Sequence, residues 1–248
     1  MLKAASLTDR GRVRPNNEDS LYADEGLGLF IVADGMGGHR AGEVASRMAV
    51  EGLSSFIRER LSPFLSPEET RKLLLEAVLA VHETIREAAR KERGLRGMGT
   101  TVSLALLKDG GVWLVHVGDS RMYLVSERGI EQLTEDHSVA AQMAKAGMIA
   151  PEEAKTHENR HLLTQAVGSS PFIIPDVDFR PWRAGECLVL CSDGLTEMVE
   201  EEEIRAAVLG RSPEEACARL VALANERGGV DNVTVIVLCK EGDREARP

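Results

Sequence analysis

Gly28-Leu29-Phe30-Ile31-Val32-Ala33-Asp34-Gly35-Met36-Gly37-Gly38-His39 decides how the rest of the chain is read. The apolar run 29–33 is too short and too β-branched for a helix, so it reads as a buried strand. Asp34 then stands at that strand's C-terminal mouth. Gly35, Gly37 and Gly38 leave the next turn free to take positive φ and to bring backbone carbonyls close to a ligand. Taken alone, Asp-Gly marks an ordinary turn. The pattern recurs, however: the run 112–117 leads into Gly118-Asp119, and 187–191 leads into Ser192-Asp193-Gly194. Asp231 instead precedes its run, 232–238. With that last strand antiparallel to the others, its start lies beside their ends, and four carboxylates converge at one edge. Four anions without basic partners repel one another, so positive charge belongs between them. All-oxygen ligation suits Mg²⁺ or Mn²⁺ better than zinc, and the constellation reads as a two-metal site.

Composition narrows the class. The 248 residues suffice for one large domain or two small ones, and 43% apolar content fills a sizeable core. Aromatics are only 4%, so that core is built from Leu, Val, Ala and Ile. A net charge of −10 without a basic stripe argues against nucleic acid or an anionic membrane as partner. Met1-Leu2-Lys3-Ala4-Ala5-Ser6 lacks the apolar core of a signal peptide, and no apolar run approaches the ~20 residues that span a bilayer. Cys187, Cys191, Cys217 and Cys239 show no CxxC spacing and are expected as buried, reduced thiols of a cytoplasmic protein.

Along the chain, strands are expected at 2–8, 20–24 and 28–34, the first two joined by the polar turn 9–19. A helix over about 41–60 presents Val44, Met48, Gly52 or Leu53, Phe56 and Ile57 at helical spacing. Ser66-Pro67-Glu68-Glu69 opens a second helix, with Ser66 as N-cap, Pro67 in the first helical position and Glu69 closing a capping box. Leu74, Ala77, Val78, Val81, Ile85 and Ala88 form its stripe, Gly94 stops it, and His82 falls off the stripe without a role. Strands at 100–107, 111–117, 121–126 and 129–132 follow, with Asp109-Gly110 as a hairpin turn. Residues 138–172 are small, polar and irregular, with helical patterns only around 140–145 and 151–154, which marks a flap or an insertion. His157 and His161 within it read as surface residues. Strands at 176–181 and 187–192 lead to two helices, the second opened by Ser212-Pro213-Glu214-Glu215, and the glutamates 200–203 favour a helix N-terminus. This segregation of strands and helices predicts a layered α+β domain of antiparallel sheet, a single unit over 1–240, and the charged residues 241–248 are expected as a disordered tail.

Two hard cations bridged by Asp34 and Asp193 would ionise a bound water near neutral pH and place it for in-line attack on phosphorus. Arg14 in the N-terminal turn is the candidate to grip two phosphate oxygens. Motifs along nearly the whole chain now align with one family: Arg14 with Asn17-Glu18-Asp19, the run 32–39 with Gly42-Glu43, Gly99-Thr100-Thr101, Val117-Gly118-Asp119-Ser120-Arg121, Leu133-Thr134 with Asp136-His137-Ser138, the run 163–168, Ser192-Asp193-Gly194-Leu195, and Asp231-Asn232-Val233-Thr234. The chain resembles the protein phosphatase 2C (PPM) family of metal-dependent Ser/Thr phosphatases, in its bacterial form.

The resemblance implies a four-layer α-β-β-α sandwich, two antiparallel sheets flanked by helix pairs. It implies that Asp34 bridges two Mn²⁺ or Mg²⁺ ions, with the Gly35 carbonyl completing one coordination sphere and Asp193 and Asp231 holding the other ion. Asp119 with Asp193 would hold a third, weaker ion. Glu18 or Asp19 would act through metal-bound waters, and Arg14 would take the phosphate. Residues 142–175 correspond to the flap that contacts substrate. The implied partners are phosphorylated proteins and a cognate bacterial Ser/Thr kinase that the enzyme opposes, with the enzyme expected as a monomer. Eukaryotic members place a histidine, the proposed leaving-group acid, two positions after the bridging aspartate. Here that position is Met36, and His39 is left either as the acid or as a brace for the turn. A dinucleotide-binding motif is excluded by Arg40 in place of a third glycine, and no P-loop sequence occurs. The remaining alternative is a metal-binding module that recognises phosphoproteins without turnover.

Overall fold

The computed structural model describes residues 2–37 and 41–240. The histidine of the glycine turn, His39, and the charged tail expected from 241 onward lie outside the described residues.

Five strands, β1 (Leu2–Asp9), β8 (Arg121–Ser126), β9 (Gly129–Gln132), β11 (Cys187–Cys191) and β12 (Val233–Lys240), make one sheet in the order β1-β12-β11-β8-β9. The other sheet runs β10-β7-β6-β3-β2, from β2 (Ser20–Asp24), β3 (Leu29–Ala33), β6 (Val102–Lys108), β7 (Gly111–Val117) and β10 (Asp176–Pro181). Every pairing in both is antiparallel. Two-residue strands β4 (Gly35–Met36) and β5 (Gly99–Thr100) pair beside the second sheet. They are too short to leave a sequence signal.

The side-chain period of two explains the layering. Along β3, Phe30 and Val32 enter the core between the sheets, while Leu29, Ile31 and Ala33 meet helices α1 (Ala41–Arg60) and α2 (Pro67–Lys91). On β12, Ile236 and Leu238 face the inter-sheet core, and Val233, Val235 and Val237 pack against the helices α5 (Asp193–Thr196), α6 (Glu201–Val208) and α7 (Pro213–Glu226). Both faces of the central strands are covered, so they read as unbroken apolar runs. The result is the expected four-layer α+β sandwich. Among the described residues no helix is long and apolar enough to cross a membrane.

The local signals take the predicted forms. Ser66 and Ser212 cap α2 and α7 in full capping boxes. Asp109 (φ 57°) and Gly110 (φ 76°) turn β6 into β7 with two positive φ angles, as a tight primed hairpin turn requires. In the region 138–172, helices α3 (Val139–Lys145) and α4 (Pro151–Ala154) appear where the short helical patterns lay. After β11 there are three helices where two were expected, because Asp193 itself begins the one-turn α5.

Two expectations are corrected. Cys187 and Cys239 are not free thiols: they stand directly opposite on β11 and β12, with Cα atoms 4.2 Å apart, and form a disulfide. The strand register makes that pair, and a separation of 52 residues hides it from spacing rules. Cys191 and Cys217 are free and buried as expected. His82 does have a role, since it is buried and its Nδ1 accepts a hydrogen bond from the Gly168 N–H at 3.0 Å.

Candidate metal centre

The chain passes between the two sheets four times, after β1, β7, β9 and β10. The strand registers put the first three of these crossings at the same end. Val32 pairs with Ser103 and Val102 with Val117, so the ends of β3 and β7 meet there. Cys191 pairs with both Val235 and Arg121, which brings the end of β11 and the starts of β12 and β8 to the same edge. Asp34, Asp119, Asp193 and Asp231 thus gather from four strand ends. Arg14, Glu18 and Asp19 arrive on the β1–β2 crossing. Together with Gly35 they line, except for Asp19, a cleft of about 950 Å³.

Each carboxylate is placed by backbone that neighbouring groups hold. The Asp34 N–H donates to Thr101 Oγ1, and its carbonyl accepts from the Thr101 N–H and Thr100 Oγ1, all at 2.9 Å. Beside it Gly35 lies so close to other backbone that a Cβ would sit 2.2 Å from the Gly42 carbonyl oxygen and 2.5 Å from that of Glu18. Only glycine fits there. Asn232 ties the first crossing to β12: its Nδ2 donates to the carbonyls of Arg10 and Asn16, and its Oδ1 accepts from the Glu18 N–H. Buried Asp19 accepts from Ser192 Oγ at 2.8 Å, which braces the residue preceding Asp193. Arg14 Nη2 donates to Asp231 Oδ2 at 2.5 Å, so in this state the guanidinium lies on a carboxylate.

Burial, more than any other cause, pushes the carboxyls of Asp34, Asp119 and Asp193 above the usual carboxylate range. Repulsion among them adds to it, with Asp34 feeling Asp19, Asp193 and Asp119. Asp19 is raised to about 7, again chiefly by burial. Asp193 Oδ1 and Asp19 Oδ1 are buried and have no hydrogen-bond partner among the described residues. Buried acceptors without donors, in a cluster of like charges, are what a cation would satisfy. The donors are oxygens, so the residues present fit a hard divalent ion.

Two neighbours were missed in the sequence. His161 Nδ1 lies 2.8 Å from Glu197 Oε1, and these residues and Asp193 offer ligand atoms within 4.8 Å of one another. Glu197 falls one turn after Asp193, at helical spacing, which is a signal that could have been used. His161 lies in a segment without periodicity, and nothing local marked it. Burial first, then repulsion from Asp193 and Asp231, raises Glu197 to about 7.

Comparison with known proteins agrees with this geometry. The family model described as protein phosphatase 2C matches residues 12–221. The chain is 38% identical over 244 residues to the serine/threonine phosphatase stp of Listeria monocytogenes, covering 97% of this chain and 96% of that one. Its fold matches the crystal structure of the Mycobacterium tuberculosis serine/threonine phosphatase PstP/Ppp with a TM-score of 0.89 and 39% identity, over 97% of this chain and 99% of that one. A PstP catalytic domain in complex with two manganese ions matches with a TM-score of 0.83 and 36% identity, over 97% and 99% of the two chains. The chain belongs to the protein phosphatase 2C family.

Proposed function

We propose that the chain hydrolyses phosphoserine and phosphothreonine esters in proteins, using two Mn²⁺ or Mg²⁺ ions, with room for a third. The observation that carries this is the cleft in which Asp34, Asp119, Asp193 and Asp231 meet under Arg14. Asp34 and Gly35 would hold one ion, Asp34, Asp193 and Asp231 the other, and Asp119 with Asp193 the third. When bound, such ions supply a polarised water near neutral pH and positive charge opposite the phosphoryl oxygens. Asp34 and Asp193 would fix the spacing of the site, because Thr101 and Thr100 hold the Asp34 backbone and Asp19 braces Ser192, the residue before Asp193. Glu18 or Asp19 would orient water around it, and of the two Glu18 lines the cleft. Cation binding at Asp231 would release Arg14, whose side chain is 54% exposed and free to turn onto the phosphate. Residues of about 142–175 would act as the flap over the substrate.

The reading extends to context. The substrates would be products of ATP-dependent phosphorylation, which argues for a cytoplasmic enzyme that opposes a Ser/Thr kinase, and in this proposal it acts as a monomer. The manganese-bound relative supports the choice of ion. The non-catalytic alternative is not favoured, since the full set of cleft carboxylates and Arg14 is present. Release of inorganic phosphate from a phosphothreonine peptide, in Mn²⁺, tests the proposal. Peptide binding without phosphate release would favour the alternative.

A further inference from the structure

His137 stands where the segment between β9 and β10 begins, and it touches three structures at once. Its N–H donates to the Gly118 carbonyl at 2.7 Å, and its Nδ1 accepts from the Gly118 N–H at 3.2 Å. Its Nε2 lies 3.0 Å from Oδ2 of Asp176, the residue at which the same segment returns to the sheet. Its carbonyl accepts from both the N–H (2.8 Å) and the Oγ1 (3.1 Å) of Thr164, deep in the segment. The ring is 11% exposed and packs against His116, with ring centroids 4.9 Å apart. Because Nδ1 accepts a backbone N–H, the proton of the neutral ring belongs on Nε2, where it donates to Asp176.

Gly118 gives this contact its meaning. It takes φ +110°, and a Cβ there would meet the Thr101 side chain at 2.6 Å, so the turn carries no side chain of its own to hold it. The imidazole does the holding, one residue before Asp119. The same ring also closes the base of the flap through Asp176. We propose that His137 is a positioning residue that couples flap order to Asp119: a flap seated on the sheet ends keeps the ring in place, and the ring keeps the turn that aims Asp119 into the cleft. The proposal rests on the assignment of Asp119 to the weaker ion site. Metal binding and flap order are therefore read directly, apart from turnover.

Three full-chain variants separate the two contacts. Asp176→Ala removes only the Nε2 partner, at a side chain that is 57% exposed and tolerant of change. His137→Asn retains an acceptor where Nδ1 was but is too short for Asp176, and His137→Gln offers a donor towards Asp176 without the acceptor for Gly118. Mn²⁺ binding is followed by calorimetry, and flap order by hydrogen exchange at the Val139 and Thr164 amides. In the parent, saturating Mn²⁺ should slow that exchange. His137→Gln should weaken the weakest Mn²⁺ site ~10-fold, the scale of lost outer-shell support, and leave the tighter sites unchanged. His137→Asn, which keeps the acceptor for Gly118 but not the link to Asp176, should lose less of that site's affinity than His137→Gln, and both it and Asp176→Ala should lose the Mn²⁺-induced slowing. Equal loss of affinity in the Asn and Gln variants, or slowing that survives in Asp176→Ala, would overturn the proposal. Absence of phosphatase activity in the parent would count against the proposed function and leave these readouts intact.

Discussion

At the end of the sandwich away from the cleft, β6 turns into β7 through Asp109-Gly110, and Cys187 is bonded to Cys239 on the neighbouring strand. At the cleft end the chain crosses between sheets three times and gathers four aspartates, one of them, Asp231, paired with Arg14. The first end is closed by short-range turns and a covalent bond, all of which favour the folded state. The second collects buried like charges that oppose it until a cation arrives. Stability and chemistry are thus separated along the strand direction, and substitutions at the two ends should do different things.

The largest effect belongs to Asp193. Asp193→Ala should lower turnover of a phosphopeptide by ~10³-fold or more, the scale of removing a preorganised charge from a reacting site. In EDTA the variant should melt no lower than the parent, because one of the repelling carboxyls is gone. A lower melting temperature in EDTA would show that the carboxylate supports the fold and would break the contrast. At the far end, replacing Cys187 and Cys239 together by serine should cost ~2–4 kcal/mol of stability. Its kcat/KM at room temperature should be unchanged, and a loss of activity at full folding would break the contrast from the other side.

Arg14→Ala sharpens the picture within the cleft. Loss of a charge-assisted contact of ~1.5–3 kcal/mol should raise KM for a phosphopeptide ~10-fold or more, while Mn²⁺ content holds. Loss of the metal in this variant would make the Arg14–Asp231 pair structural. The smallest effect is in pH. Asp19 and Glu197 are raised to about 7, so the folded, metal-free protein keeps protons that the unfolded chain releases near its ordinary carboxylate values. Between those values stability falls as pH rises. The gap between Mn²⁺-loaded and EDTA-treated melting temperatures should therefore widen from pH 5.5 to 7.5. A constant gap would mean that the charges are compensated without a cation.

Much of this was legible in the residues because the relevant signals are local. Apolar runs ending in Asp34, Asp119 and Asp193 gave strand ends, Ser66 and Ser212 gave helix starts, and Asp109-Gly110 gave a turn. The convergence of the carboxylates followed once β12 was taken as antiparallel. What escaped depends on distant pairing. The disulfide arises from the β11–β12 register, His82 meets Gly168 across 86 residues, and His161 reaches Glu197 from an aperiodic segment. The brace that Asp19 gives Ser192 joins residues 173 apart. No window of sequence contains both partners of such contacts.

The central claim is that the carboxylates at the cleft end hold cations without which the phosphoester is not cleaved. Its most direct test is the release of phosphate from a phosphothreonine peptide by metal-stripped protein, titrated with Mn²⁺ at fixed pH. The account predicts no measurable release in EDTA and recovery of full activity as Mn²⁺ saturates the sites. Full activity in EDTA would contradict it.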